Sequence, residues 1–393
     1  MIRKGFLYGY FVLIFTLLSG CSGGISNTAP PATTPQAGNG SISPPPTLVS
    51  NSPVPQSKIG NPSLPSTTIP VTWGDLHLTG TLVYMSSTQT QDFTIMSIQA
   101  LDLISGNITT IFQAPTAGWI DFVSVSPDGQ KLIMAYLPPR DKSDPNSAGQ
   151  QALYTMPLDG SEPPQLLFSP PSIDDQYYQP VWSPDGKYLY FSHVNYQAPS
   201  TIPGQHYPIY EVFRMAYPDG QPVKLADQAY WPRLSSDGAR LAYVTLNPVD
   251  GSNQLFVANA DGSGAYQVVL TGQDVPPIID APFFTPDNQL ILYSAVTPMQ
   301  ASQPTWIEKV LGVIVASAHT VPSDWWSVPI GGGTPVQLTR IATTGLFASL
   351  SPDKKYIASY SGNGIFLMNM EGTELTIFFN DIAGAPGTVS WVP

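Results

Sequence analysis

Pro180-Val181-Trp182-Ser183-Pro184-Asp185-Gly186-Lys187-Tyr188-Leu189 is the stretch that decides the fold. A short strand-like run enters a turn, and alternating apolar residues leave it. The turn chemistry is explicit: proline presets φ, aspartate bonds its own backbone, and glycine supplies a positive φ. The pattern returns four times, at Ser126-Pro127-Asp128-Gly129, Ser235-Ser236-Asp237-Gly238, Thr285-Pro286-Asp287-Asn288 and Ser351-Pro352-Asp353-Lys354. Successive copies start 50 to 66 residues apart, so a supersecondary unit repeats along the chain.

A second turn follows each copy: Leu158-Asp159-Gly160, Pro218-Asp219-Gly220, Ala260-Asp261-Gly262, Gly331-Gly332-Gly333 and Met370-Glu371-Gly372. Asp-Gly between apolar runs is a strong hairpin signal. Each repeat therefore reads as four strands, A to D, with A–B closed by Ser-Pro-Asp-Gly and C–D by Asp-Gly. Repeated four-stranded units are propeller blades. The Pro-x-Trp-Ser-Pro-Asp-Gly-Lys signature resembles the PD40 (WD40-like) repeat of TolB-like propellers. That resemblance covers nearly everything after residue 73 and implies an all-β, six-bladed β-propeller. TolB carries an additional N-terminal α/β domain, whereas this chain has an anchor-like leader and a tether.

The blade count follows from the two ends. Leu82-Val83-Tyr84, Ile98 to Leu103 and Thr109 to Phe112 supply strands B, C and D of a blade lacking its own Ser-Pro-Asp-Gly. Thr388-Val389-Ser390-Trp391-Val392-Pro393 resembles a strand A that then stops. Joining the two closes the ring and removes the exposed sheet edges.

Upstream of the repeats, Arg3 and Lys4 precede an apolar run from Phe6 to Leu18. That run falls well short of the ~20 residues a membrane-spanning helix needs, and suits a signal peptide. Leu18-Ser19-Gly20-Cys21 resembles the lipobox of bacterial lipoproteins, in which the cysteine is diacylated. Cys21 is the only cysteine, so the chain makes no internal disulfide. From Ser22 to about Pro70 the composition is Pro, Ser, Thr, Asn and Gly with one charge, Lys58. It cannot bury enough apolar surface to fold. The expected organisation is a signal peptide over 1–20, a lipidated tether over 21–72 and a propeller over 73–393. The expected location is extracytoplasmic, held on a bacterial membrane by the lipid.

With A–B and C–D closed tightly, the B–C and D–A connections share the opposite face. The long insertions fall there: Leu137 to Gln151, His193 to Pro208 and Ala295 to Asp324. Long loops in a compact fold concentrate function. Trp119, Tyr177, Tyr178, Tyr196, Tyr207, Tyr230, Trp231, Trp306 and Trp325 lie on or beside them, as do Arg233 and Asp280 near the entrances of A strands. Aromatic platforms suit protein, peptide or glycan partners, and this face is the expected binding surface. Trp306 to His319 reads as a short apolar helix, either a lid or a docking element.

Fifteen Lys and Arg against 27 Asp and Glu give a net charge of −12, with no basic block. Nucleic-acid binding, which needs clustered cations, is excluded. The one Gly-x-Ser-x-Gly-like match, Gly20-Cys21-Ser22-Gly23-Gly24, lies inside the lipobox, so no catalytic nucleophile is assigned. No cofactor is expected. The alternative is a metal-assisted propeller enzyme acting on polysaccharide, with His193, His206 and His319 gathered on a divalent ion. The lipobox itself is testable: Cys21→Ser should move the protein from the detergent phase to the aqueous phase, or leave uncleaved precursor. Unchanged membrane association would contradict the assignment.

Overall fold

The computed structural model describes residues 66–140, 149–197, 208–246, 252–271, 276, 278–296, 322–361, 364–373, 375–379 and 388–393. The repeated turn is held by its serine and aspartate more than by its proline and glycine. In each copy the Ser or Thr hydroxyl donates to the Asp carboxylate at 2.5–2.6 Å. The same oxygen accepts the backbone N–H five residues on, at 2.9–3.0 Å, which is the first rung of strand B. Proline is replaced by Ser236 in one copy, and glycine by Asn288 and Lys354 in two. Those two non-glycine residues still take a positive φ, 58° and 61°. Only the Ser/Thr–Asp pair is present in all five turns.

These turns build six antiparallel sheets. Blade two comprises Trp119–Val125, Lys131–Leu137, Ala152–Pro157 and Gln165–Phe168. Blade three is Asp175–Trp182, Tyr188–Asn195, Ile209–Ala216 and Val223–Asp227. Blade four is Ala229–Leu234, Arg240–Leu246, Asn253–Asn259 and Tyr266–Gln267. Blade five is Ile279–Phe284, Leu290–Val296, Ser323–Pro329 and Val336–Gln337. Blade six is Phe347–Leu350, Tyr356–Ser361, Gly364–Asn369 and Leu375–Phe379. The expected six-bladed, all-β propeller is what the chain forms.

Blade one is the closure. Thr81–Gln89, Thr94–Asp102 and Asn107–Gln113 take the C-terminal strand Val389–Val392 as their innermost member. The register pairs Thr81 with Val392 and Tyr84 with Val389. Thr388 ties this strand to blade two as well: its hydroxyl donates to the Val123 carbonyl at 2.9 Å and accepts the Val123 N–H at 3.1 Å. Upstream of the boundary expected at residue 73, Ser66–Thr68 pairs with Asn107 to Thr109 as a fifth, outer strand.

Apolar clusters fill the spaces between neighbouring blades. One joins blades one and two through Met96, Ile120 and Met134. Another joins blades four and five through Val257, Tyr293 and Trp326. The inner strands of blades three, four and five share a further device. Gln179, Trp231 and Ala281 each precede a proline and take φ of 54°, 60° and 46°. A bulge sits at each, between Tyr190 and Ser192 of the partner strand in blade three and at the equivalent place in the next two. Proline lacks the ladder donor and is tolerated where a bulge interrupts pairing. The bulges break the two-residue alternation of strand A and so decide which side chains reach the central channel.

Candidate functional site

Three rings from alternate blades meet on the axis of the ring. Phe122 of blade two, Trp231 of blade four and Phe347 of blade six lie with centroids 5.4–6.0 Å apart. Each pair is tilted or edge-to-face, the favoured geometry for aromatic contacts. Gln179 of blade three fixes the central member: its carbonyl oxygen accepts the Trp231 N–H at 3.1 Å and the Ser192 hydroxyl at 2.6 Å. The trio plugs the axis between the inner strands of blades two, four and six.

Strand A runs from the long-loop face towards the Ser-Pro-Asp-Gly turns, so residues just before the plug face the long loops. There the side chains are tyrosines and acids. The hydroxyls of Tyr178 and Tyr196 lie 3.0 Å apart, and Tyr178 donates to the Gln176 carbonyl oxygen. Burial pushes Tyr178 far above the ordinary phenol value, and burial raises Tyr196 too. Burial raises Tyr210 to about 12. Tyr230, its ring 5.7 Å from that of Tyr210, is pushed well up by burial and then by the Asp280 carboxylate. Asn253 donates its amide to the Tyr230 oxygen. All four phenols stay protonated near neutral pH, and Tyr178 gives its O–H to Gln176 while Tyr230 shares a hydrogen bond with Asp280. Asp121 stands near Tyr178 and Tyr196, and burial raises its carboxyl to about 7.

The chamber beyond the plug opens among the Ser-Pro-Asp-Gly turns. It is a cup of about 330 Å³, floored by Phe122 and Phe347 and walled by Val181, Trp182, Trp391 and the turn residues Pro127 and Pro184. Arg233 projects into it, with its guanidinium carbon 5.1 Å from the centre of the Phe122 ring. Arg233 was expected on the long-loop face, but the bulge at Trp231 and Pro232 carries it to the cup.

The remaining expected site residues divide sharply. Tyr178, Tyr196 and Tyr230 converge at the long-loop mouth, and Asp280 lies behind Tyr230, wholly buried. Tyr177 is 4% exposed and packs between Phe168, Phe191 and His193. Trp231 belongs to the plug. Trp325 is 0% exposed and donates its indole N–H to Ser359 at 2.7 Å, so it is a core residue and presents no surface. Trp119 is half-buried against the cluster joining blades one and two. Cys21, Tyr207, Trp306, His206, His319 and the segment 306–319 lie outside the described residues.

His193 is engaged within its own sheet. Its Nε2 lies 2.8 Å from Asp175 and its Nδ1 2.8 Å from Glu211, so carboxylates occupy both sides of the ring. Lys224 completes the chain of charges, 3.0 Å from Glu211. Against the penalty of burial, hydrogen bonds from Ser172, His193 and Asn195 hold Asp175 below the usual carboxylate value. Sequence reasoning missed Asp121, Tyr210 and Gln179; a carboxylate interrupting the apolar run Trp119-Ile120-Asp121-Phe122-Val123 was the signal available for the first.

No protein-family model and no curated protein matches this sequence. Solved structures do. TolB from Acinetobacter baumannii matches with a TM-score of 0.53 and 15% identity, over 79% of this chain and 66% of that one. This chain therefore spans just under two thirds of that relative's length. It has the TolB-type propeller fold. A chain of a nidogen/laminin complex matches at TM-score 0.54 and 10% identity, over 80% of this chain and 99% of that one. Hydrazine synthase from Kuenenia stuttgartiensis matches at 0.56 and 13%, over 80% and 47%. At these identities the TolB-type likeness fixes the architecture and leaves function to the site.

Asp121 gives the site a pH signature. Its folded-state value is raised to about 7, so the folded chain holds a proton that the unfolded chain releases near pH 4. The stability it contributes is fully present below that lower value and is lost as pH rises through about 7. Between pH 4.5 and 8 the melting temperature of the native protein should fall more steeply than that of Asp121→Asn. Parallel profiles would contradict the burial of this carboxyl.

Proposed function

We propose that the protein is a lipid-anchored, extracytoplasmic binding module, and that it takes a protein or peptide partner at the long-loop mouth of its channel. The observation that carries this reading is the row of neighbouring phenols Tyr178, Tyr196, Tyr210 and Tyr230, with Asp121 beside the first two and Asp280 behind the last. Tyrosine rings offer flat apolar faces with a polar rim, and they lose little rotamer entropy on binding. The net charge of −12 favours partners that present cationic groups. The nidogen/laminin structure supplies a precedent for a propeller fold in a protein complex. A glycan partner would use the same ring faces, but the net negative charge adds nothing to the recognition of a neutral sugar.

The lipobox at Cys21 and the tether after it support display of this face away from the membrane surface. The metal-assisted alternative gains no support from His193, whose ring is committed to Asp175 and Glu211.

The test is affinity capture from intact envelopes with the anchored protein, comparing the native chain with Tyr178→Ala/Tyr196→Ala. Truncating aromatic anchors at the centre of an interface typically costs ~2 kcal/mol or more, a loss of roughly thirtyfold in affinity. A partner captured by the native chain should disappear with the variant while the melting temperature shows it still folded. Equal recovery by both would move the binding surface elsewhere.

A further inference from the structure

Asp-Gly is a reactive pair as well as a turn. The next main-chain nitrogen can attack the side-chain carboxyl carbon, and glycine, without a Cβ, hinders that attack least. Six such pairs lie among the described residues, at Asp128, Asp159, Asp185, Asp219, Asp237 and Asp261. Five of the carboxylates are clamped. Ser126, Ser183 and Ser235 donate hydroxyls to Asp128, Asp185 and Asp237 at 2.5–2.6 Å, and the N–H two residues on donates to each at 3.0–3.1 Å. Asp159 and Asp261 accept the N–H of Ser161 and Ser263 at 2.9 and 3.0 Å, and Ser263 adds its hydroxyl at 2.6 Å. Bonds from Ser161, Ser183 and Ser263 hold Asp159, Asp185 and Asp261 below the ordinary carboxylate value. A clamped, ionised carboxylate is a poor electrophile, because ring closure expels one of its oxygens as water.

Asp219 is the exception. It is exposed, and among the described residues its carboxylate accepts no hydrogen bond and makes no ion pair. The turn around it is also built differently. Gly160 and Gly262 take φ of 69° and 85° and donate their N–H to the carbonyl three residues back. Gly220 has no positive φ and donates four residues back, to Ala216 at 2.8 Å. A Cβ at Gly220 would lie 2.7 Å from the N, O and Cβ of Ala216, so glycine is required there. We infer that Asp219-Gly220, the C–D turn of blade three, is a covalent modification site at which the folded protein forms isoaspartate. The Gly220 nitrogen bonds to the Asp219 Cγ, the Cγ–O bond breaks, and the oxygen leaves with two protons as water. Water then reopens the five-membered imide: attack at Cγ returns aspartate, and attack at the main-chain carbonyl gives isoaspartate. No co-reactant besides water is consumed. The product lengthens the backbone by one carbon between Ile209–Ala216 and Val223–Asp227, just before Lys224, which pairs with Glu211 and Asp227 at 3.0 and 2.7 Å.

Two tryptic peptides allow a direct comparison. Residues 215–224 contain Asp219 as their only acid, and residues 234–240 contain Asp237 as theirs. Asp250-Gly251 lies outside the described residues and in neither peptide. The full-length folded protein is incubated in heavy-oxygen water, digested in ordinary water and mapped by mass spectrometry, with electron-transfer fragmentation to distinguish isoaspartate. Peptide 215–224 should gain heavy oxygen and isoaspartate roughly tenfold faster than 234–240, whose carboxylate is held by charge-assisted hydrogen bonds. In urea, where the clamps are gone, the two should react at similar rates. Asp219→Glu should remove the signal from 215–224, and Ser235→Ala should raise that of 234–240 while the melting temperature shows the variant still folded. Equal rates for the two peptides in the folded protein, or reaction of 215–224 only after denaturation, would overturn the site.

Discussion

Six sheets arranged around an axis keep their edges covered only if the last meets the first, and here four residue pairs make that junction. Thr81 to Tyr84 lie against Val389 to Val392, and Thr388 bonds across to Val123 of the next blade. The C-terminal strand thus belongs to blade one by its ladder and touches blade two through one hydroxyl. Everything on the axis depends on it, because the channel exists only while six inner strands face one another. Phe122 and Phe347, the plug residues nearest to this junction, flank it from either side. Losing the closing strand would remove Trp391 and Val389 from the cup and expose the inner edge of blade one.

The same ring produces chemical asymmetry from near-identical repeats. Within each inner strand, two or three positions separate a residue facing the long loops from one facing the turns. Bulges before Pro180, Pro232 and Pro282 set that phase, and each holds a non-glycine residue at positive φ. Such conformations cost on the order of 1–3 kcal/mol each and persist only where surroundings impose them. Around Trp231 the surroundings are visible: Gln179 and Ser192 grip its backbone N–H from blade three. The strain is spent placing an indole in the plug and a guanidinium beyond it.

Much of the fold was legible because its information is local. Ser-Pro-Asp-Gly and Asp-Gly are turn chemistry, and their spacing gives the blades and, with the C-terminal strand, their number. The structure refines this reading, since the hydroxyl–carboxylate pair is retained where proline and glycine are not. The site was less legible. Tyr178, Tyr196 and Tyr230 were found as aromatics beside long loops, and they do meet. Trp231 and Trp325 looked the same in sequence and are interior, because the depth of an aromatic at the start of a strand depends on the bulge and on the neighbouring blade. Asp121 was hidden because a bulge at Ile120 and Phe122 turns it inward. Arg233 was singled out, yet its chamber followed only from the phase of the strand. The partners of His193, Asp175 and Glu211, come from two other strands of its own sheet and could not be read from the spacing of histidines.

The central claim is that the C-terminal strand closes the ring and that the propeller opens only as a whole. Native-state hydrogen exchange, followed by mass spectrometry through a denaturant series, tests it most directly. Amides of 388–392 and of Thr81–Gln89 should exchange in the same global event, with the same denaturant dependence, as the inner strands of blades three to five. Free exchange of 388–392 while those blades stay fully protected would contradict closure as the constraint on which the structure rests.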